Sequence, residues 1–176
     1  MLADVWETMA VDAAAESTLW GDYVLPDAER DHSFVFSPLG EARFALGLET
    51  IYEGYLVHYG RPRLFAPPDD DTALLLGDYL YAHGVARISA LHDVAAVADL
   101  SELISLCSQV RAEEGDGEGP LWAATAALLG RGGLDDARAA LRLHSDPAAL
   151  DRIAREAAGD PAVDEALAAH ADRRVS

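Results

Sequence analysis

Apolar residues recur at helical spacing along most of this chain, and they predict an all-helical protein. Steps of three and four residues place apolar side chains on one face of a helix, whereas a half-buried strand alternates with a period of two. The pattern predicts a first helix over about residues 2–18 and another from Ser37 to about His58. Ser37 followed by Pro38 is a start signal, because serine can cap an amide and proline has no amide hydrogen to lose.

One stripe of the following helix mixes apolar residues with a carboxylate. Its members are Leu74, Asp78, Tyr81, Val85 and Ile88. Asp78 would then lie on the apolar face, where an unpaired carboxylate is costly. We therefore predict that Asp78 is a buried structural polar residue, with an arginine or a tyrosine hydroxyl as its partner.

A further apolar stripe predicts the next helix, with Asp93 as its N-cap. The members of this stripe are Val94, Val97, Leu100 and Ile104. The acidic, glycine-rich segment 113–119 then interrupts the helical pattern. This segment is the predicted connection between two sets of helices.

The pattern over residues 120–176 predicts short helices, among them 135–144, 146–158 and 160–171. The last two each open with Asp-Pro, a favourable helix start. Their alanine-rich faces bury little apolar area apiece, at about 25 cal/mol for each Å² removed from water. We therefore expect these helices to need a partner surface, which favours oligomerisation or docking onto another chain.

The charge balance restricts the classes of partner. The chain has 31 acidic and 13 basic residues for a formal net charge of −18, and all of the basic residues are arginine. The negative electrostatic field of such a chain repels free diphosphates, anionic membrane surfaces and nucleic acid unless a local cluster of arginines or a metal ion offsets it. We expect no nucleic-acid partner.

The length of 176 residues fits one domain, which we predict to span residues 1–176. The single cysteine, Cys107, lies among leucines and isoleucine and is expected to be a buried structural thiol. No apolar run approaches the roughly twenty residues needed to span a bilayer. Asp4 and Glu7 stand where a signal peptide would be basic, so we predict a cytoplasmic protein with no integral membrane segment.

Three adjacent aspartates, Asp69, Asp70 and Asp71, are a candidate metal site because magnesium prefers oxygen ligands. Adjacent residues on a helix do not face each other, however, so the three carboxylates cannot all face one ion. The alternative is a helix N-terminus whose acids oppose the positive end of the helix dipole. We favour this second interpretation.

His92 and Asp93 form another candidate site. A His-Asp pair resembles the helical HD-domain phosphohydrolases, which ligate a divalent metal together with an upstream histidine and a downstream aspartate. His58 and Asp151 could be nominated for those two positions. We favour the simpler interpretation, in which Asp93 caps the helix that follows it.

Glu49 and Glu53 are one helical turn apart and could form a carboxylate pair of the di-iron type. Such sites also need Glu-x-x-His partners on two other helices, and the sequence has none. We expect the two glutamates to lie on a solvated or inter-helix polar face.

Four segments resemble the middle of the trans-polyprenyl diphosphate synthase family. They are ALGLETIYEGYLVH (45–58), GRP (60–62), LLLGDYLYAHGVARISAL (74–91) and DVAAVADLSELIS (93–105). The resemblance implies a helical bundle like a truncated isoprenoid synthase fold, with residues 1–112 supplying the synthase-like helices. Members of that family condense allylic diphosphates with isopentenyl diphosphate, using magnesium ions that two DDxxD motifs hold.

The chain departs from this family where the family binds metal and substrate. Tyr59 and Gly60 stand where the first two aspartates of DDxxD belong, although residues 77–82 still match the family's GDYLLA helix. The second aspartate-rich helix is missing, and the family's substrate-binding lysines have no counterpart. Since lysine and arginine recognise phosphate differently, we predict no catalytic residue, no metal ligand and no cofactor.

The leading hypothesis is a non-catalytic helical protein that acts through protein–protein contact, either as a homo-oligomer or as an accessory subunit of a prenyl synthase. The alternative is a module that binds an isoprenoid or another lipid in an emptied cavity lined by Tyr52, Leu56 and Tyr81. A third class is a metal-dependent enzyme whose ligands have moved to residues 69–71 or to His92 and Asp93.

Overall fold

The structure, a computed structural model, describes residues 4–174, and within that range the chain folds into nine α-helices without a β-strand. The helices are α1 (Val5–Glu16), α2 (Thr18–Asp22), α3 (Ala45–Tyr59), α4 (Asp70–Ser89), α5 (Val94–Ala112), α6 (Glu118–Leu128), α7 (Asp135–His144), α8 (Ala148–Ala158) and α9 (Asp160–Ala171). The prediction of an all-α helical bundle is confirmed.

Helix α1 begins at a side-chain cap. The Asp4 carboxylate accepts hydrogen bonds from the backbone amides of Trp6 and Glu7, which is the usual role of an N-cap aspartate. The predicted first helix thus exists, although residues 2 and 3 of its predicted span lie outside the described range.

The predicted helix start at Ser37 is wrong. Residues Ser37–Leu39 and Ala42–Phe44 form two short 3₁₀ turns, and α3 begins only at Ala45. Gly40 separates the two turns, and a Cβ atom at Gly40 would lie 2.2 Å from the carbonyl oxygen of Ala126. Close packing against α6 therefore breaks a start that the local sequence favours.

The two predicted aspartate caps are confirmed. The Asp69 side chain accepts a hydrogen bond of 2.7 Å from the Thr72 amide at the start of α4. Asp93 accepts one of 2.9 Å from the Ala96 amide at the start of α5. Each bond satisfies an amide that has no partner within its own helix.

Helices α3 and α4 pack closely, and glycines on both sides make this possible. A Cβ atom at Gly54 would lie 3.0 Å from the Gly77 carbonyl oxygen, and one at Gly84 would lie 3.0 Å from the Gly47 carbonyl oxygen. Every residue of α3 from 47 to 57 is buried. Helix α3 is therefore the central helix of the bundle.

The C-terminal helices form at the predicted positions, but the connection before them is shorter than predicted. Glu118 and Gly119 belong to α6, so the connection covers residues 113–117. The inner faces of α8 and α9 pack in the main core, which also contains most of α6. The expectation that these faces need a partner surface is wrong, because α6 of the same chain covers them.

Candidate functional site

An open groove of about 620 Å³ runs between α4 and α5 on the surface. Its lining is almost entirely apolar or small. It consists of Asp78, Tyr81, Ala82, Val85, Ala86, Ser89, Val97 and Ile104. Asp78 is the only charged residue of the lining, in a chain with a formal net charge of −18.

Three members of the stripe predicted on α4, Asp78, Tyr81 and Val85, lie in one wall of this groove, whereas its last member, Ile88, is 1% exposed and packs in the core. Leu74 is 55% exposed, and Tyr81 and Val85 are half-buried. The inner face of α4 instead uses Leu76 and Leu80, which are 0% and 1% exposed. Helix α4 is thus apolar on two sides, and a helix of that kind is normally covered on both.

The prediction that Asp78 is buried is wrong. Its side chain is 67% exposed, because it lies on the groove side of α4. Its partner is the Nε2 atom of His58 at 3.3 Å, not an arginine or a tyrosine hydroxyl. Burial lowers the pKa of His58, and the nearby Asp78 carboxylate only partly opposes this effect.

Helix α5 shows the same division between two faces. Val94 is 82% exposed, and Val97 and Ile104 line the groove. Among the residues predicted for its apolar stripe, Leu100 alone is fully buried, at 0% exposure. Cys107 is buried as predicted, and burial raises the pKa of its thiol, so it has none of the character of a reactive cysteine.

The three residues predicted to line a cavity are divided between the core and the surface groove. Tyr52 and Leu56 are 1% and 0% exposed and pack in the core, whereas Tyr81 lines the surface groove. The Tyr52 ring lies 5.2 Å from Phe36 and 5.1 Å from Trp122, measured between ring centroids. Aromatic side chains thus fill the interior around Tyr52, and its hydroxyl pKa is raised by burial.

Glu49 and Glu53 face neither solvent nor a neighbouring helix. They are 1% and 0% exposed and both pair with Arg63, whose side chain is 1% exposed. The Arg63 Nη1 atom donates to Glu49 at 2.7 Å, and Nε donates to Glu53 at 2.9 Å. Burial alone would lower the pKa of Arg63, but the two carboxylates outweigh it and the pKa is raised.

Arg63 is not among the predicted site residues, although one signal in the sequence points to such a residue. Two acids one turn apart on an otherwise apolar helix need a cation wherever the helix is buried. Nothing in the local sequence shows that this cation comes from the segment after α3. Arg63 also donates to the Ser33 carbonyl oxygen at 2.9 Å, so the network joins α3 to two loops.

Two further buried pairs use the other helices. Arg138 donates to Asp99 at 2.8 Å, which joins α7 to α5. Arg111 donates to Glu118 at 2.8 Å, and Glu118 is 1% exposed. Burial raises the pKa of Glu118, and Arg111 only partly opposes this shift.

The arginines are committed to contacts within the molecule. All 13 lie in the described range, and every one except Arg61 has a carboxylate oxygen within 4.0 Å. Arg61 donates to the Asp172 carbonyl oxygen. A diphosphate would therefore have to compete with an existing acceptor at any of these guanidinium groups.

Several of the candidate metal residues are engaged in other contacts: Asp69 caps α4, and His58 pairs with Asp78. Asp93 binds Arg43 through one carboxylate oxygen at 2.9 Å while the other caps α5, and Asp151 pairs with Arg155. Across residues 4–174, no group of three or more histidine, cysteine, aspartate or glutamate side chains is placed to hold a metal ion.

None of the helices within residues 4–174 is both long enough and apolar enough to cross a membrane. Comparison of the chain with protein-family models, with curated proteins and with solved structures gives no match. The groove and the charge distribution are the observations from which a function can be argued.

Proposed function

We propose that this chain is a non-catalytic helical protein that acts through protein–protein contact, with a helix of its partner seated between α4 and α5. The observation that carries the proposal is the nearly uncharged groove on a chain with a net charge of −18. Contiguous apolar surface is a common feature of interaction sites, and the groove continues into the exposed side chain of Val94.

The shape of the groove fits a helix. Side chains of two neighbouring helices leave a furrow into which the ridge of a third helix packs. The small side chains of Ala82, Ala86 and Ser89 in the lining allow a close approach. Exposed Val94 extends the apolar surface at the end of α5.

Two observations support a role without catalysis. The arginines are engaged within the molecule, and the DDxxD motifs of the prenyl synthases have no counterpart in the sequence. The resemblance of segments 45–58 and 74–91 to those enzymes makes a prenyl synthase of the same organism the first partner to test. In that role the chain is an accessory subunit.

The test is co-purification of the tagged protein with a prenyl synthase, comparing two variants. Ala86→Glu places a charge in the groove, whereas Ala168→Glu makes the same change at an exposed position on α9. We expect Ala86→Glu to abolish the complex and Ala168→Glu to leave it intact. Equal binding by both variants would contradict a role for the groove, and failure to recover any synthase would contradict the choice of partner.

A second candidate function is lipid binding in the same groove. Its volume of about 620 Å³ lies within the range of small-molecule sites, roughly 300–1,000 Å³. The test is the melting temperature with and without farnesyl diphosphate, because a ligand that binds only the folded state raises it. A rise without magnesium that Ala86→Glu removes would favour lipid binding, and a rise that requires magnesium would favour a metal-dependent site.

A further inference from the structure

We infer that the partner segment is a basic amphipathic helix, with its apolar face in the α4–α5 groove and lysine or arginine residues against Asp70, Asp71 and Asp78 at one end. This inference rests on the proposed function and adds the chemistry of the partner. The supporting observation is that acidic side chains not paired with an arginine lie at and beyond one end of the groove and not at the other.

Two acids that have no ion-pair partner within residues 4–174 lie at the start of α4. Asp70 and Asp71 are exposed, and neither pairs with any of the 13 arginines. In the part of the chain that the structure describes, the one ion-pair partner of Asp78 is His58. Asp71 and Asp78 are about two turns apart, so they lie on the same face of α4. That face continues into the groove at Ala82.

Two more acids follow the end of α5, which lies close to the start of α4. The guanidinium of Arg111 lies 5.4 Å from the ring centroid of Tyr59, and Tyr59 lines a surface depression together with Asp70 and Asp71. Glu113 and Glu114 follow Arg111 and are exposed. The C-terminal end of α5 therefore lies beside the N-terminal end of α4.

The opposite end of the groove carries little free charge. Its lining there is Ser89 and Val97, with Val94 beyond them. Asp93 lies near this end, but Arg43 already neutralises it. The groove is thus acidic at one end and apolar at the other, which defines a direction for the partner helix.

Charge complementarity favours a basic partner over a second copy of this chain. A second copy brings another net charge of −18 and no arginine that is free of an intramolecular acceptor. Repulsion between like charges disfavours the association of two copies. The same acids attract and orient a basic partner.

The experiment measures the affinity of the whole protein for a synthetic helix by fluorescence anisotropy. The probe is a peptide of about 18 residues, or five turns, with a leucine face flanked by lysines. A matched peptide has the same face flanked by glutamates. We expect the lysine peptide to bind, the glutamate peptide not to bind, and the affinity to fall as salt is raised.

Two double variants locate the charge effect. Asp70→Asn with Asp71→Asn removes two acids from the first turn of α4, and Asp135→Asn with Asp136→Asn makes the same change in the first turn of α7. We expect the first pair to weaken binding about fivefold, in line with two exposed ion pairs. The second pair is expected to bind like the unmodified protein.

The outcomes separate this inference from the proposed function. Binding that Ala86→Glu abolishes but the Asp70 and Asp71 changes leave untouched would overturn the basic partner while keeping the groove. Binding insensitive to Ala86→Glu would overturn both. Binding to phosphatidylcholine vesicles through the groove, with no binding of either peptide, would replace the protein partner with a membrane surface.

Discussion

Removal of Arg63 should damage the fold severely. Its side chain is 1% exposed and compensates two carboxylates that are equally buried. The Glu53 carboxylate also accepts hydrogen bonds of 2.8 Å from the amides of Arg63 and Leu64. The network therefore fixes the backbone after α3 as well as the charges.

We expect Arg63→Met to lower the free energy of unfolding by about 3–5 kcal/mol, because it leaves two buried carboxylates without a cation. Urea denaturation measures this loss. The control Arg152→Met removes an exposed pair with Glu156 and should cost a small fraction of that amount. Equal losses in the two variants would show that the buried network is not what stabilises this region.

His170 is a second residue whose burial has a measurable consequence. It is 4% exposed, and its Nδ1 atom lies 2.9 Å from the Tyr52 hydroxyl oxygen. Burial, together with the positive charges of Arg174, Arg111 and Arg173, lowers its pKa from 6.5 to about 4. A histidine with a lowered pKa stabilises the fold above pH 6.5, and this contribution is lost as the pH falls towards 4.

Comparison with His170→Gln isolates this effect from other titrating groups. The stability advantage of the unmodified protein over the variant should shrink by about 3 kcal/mol between pH 7 and pH 4. Urea unfolding at several pH values measures it. The exposed His144→Gln change should leave the pH profile as it is, and a constant advantage for His170 would mean that this histidine does not titrate with folding.

At the scale of helices, the α3–α4 contact depends on glycine at close approaches. A Cβ atom at Gly84 would lie 3.1 Å from the Ile51 backbone nitrogen and 3.0 Å from the Gly47 carbonyl oxygen, and backbone atoms cannot move aside. At Gly77 the three nearest atoms belong to the His58 side chain and none to the backbone, so a methyl group there meets a side chain rather than the backbone of α3. Gly84 and Gly77 therefore allow a comparison between a clash with backbone atoms and a clash with a side chain on the same helix.

We expect Gly84→Ala to destabilise the protein, because overpacking of about 1–3 kcal/mol outweighs the roughly 1 kcal/mol that alanine gains in a helix. Gly77→Ala should cost less. Thermal unfolding followed by circular dichroism compares them. A melting temperature for Gly84→Ala at or above that of Gly77→Ala would contradict the close backbone contact.

Helix positions were easier to predict than helix faces. Asp69 and Asp93 were identified as caps because capping depends on residues within one turn. The predicted stripe meets the groove at Asp78, Tyr81 and Val85, but at Ile88 it meets the core. Because α4 has two apolar sides, periodicity cannot show which of them meets the core.

At the scale of the molecule, excess negative charge opposes folding. The acidic residues outnumber the arginines by 18, and the arginines already have acceptors within the chain. We expect the melting temperature to rise when sodium chloride is increased from about 10 mM to 0.2 M, because salt screens repulsion between exposed carboxylates. A falling melting temperature would mean that the surface ion pairs contribute more than the repulsion costs.

The sequence by itself determined the helical class, most helix boundaries beyond residue 59, the two aspartate caps and the charge. These properties depend on residues close together in the chain or on composition alone. Only the tertiary structure decided that Arg63 neutralises Glu49 and Glu53, that α6 covers α8 and α9, and that the α4–α5 groove stays open. Each of these depends on which parts of the molecule, far apart in the sequence, pack against each other. Tertiary packing decides this, and local helix propensity does not.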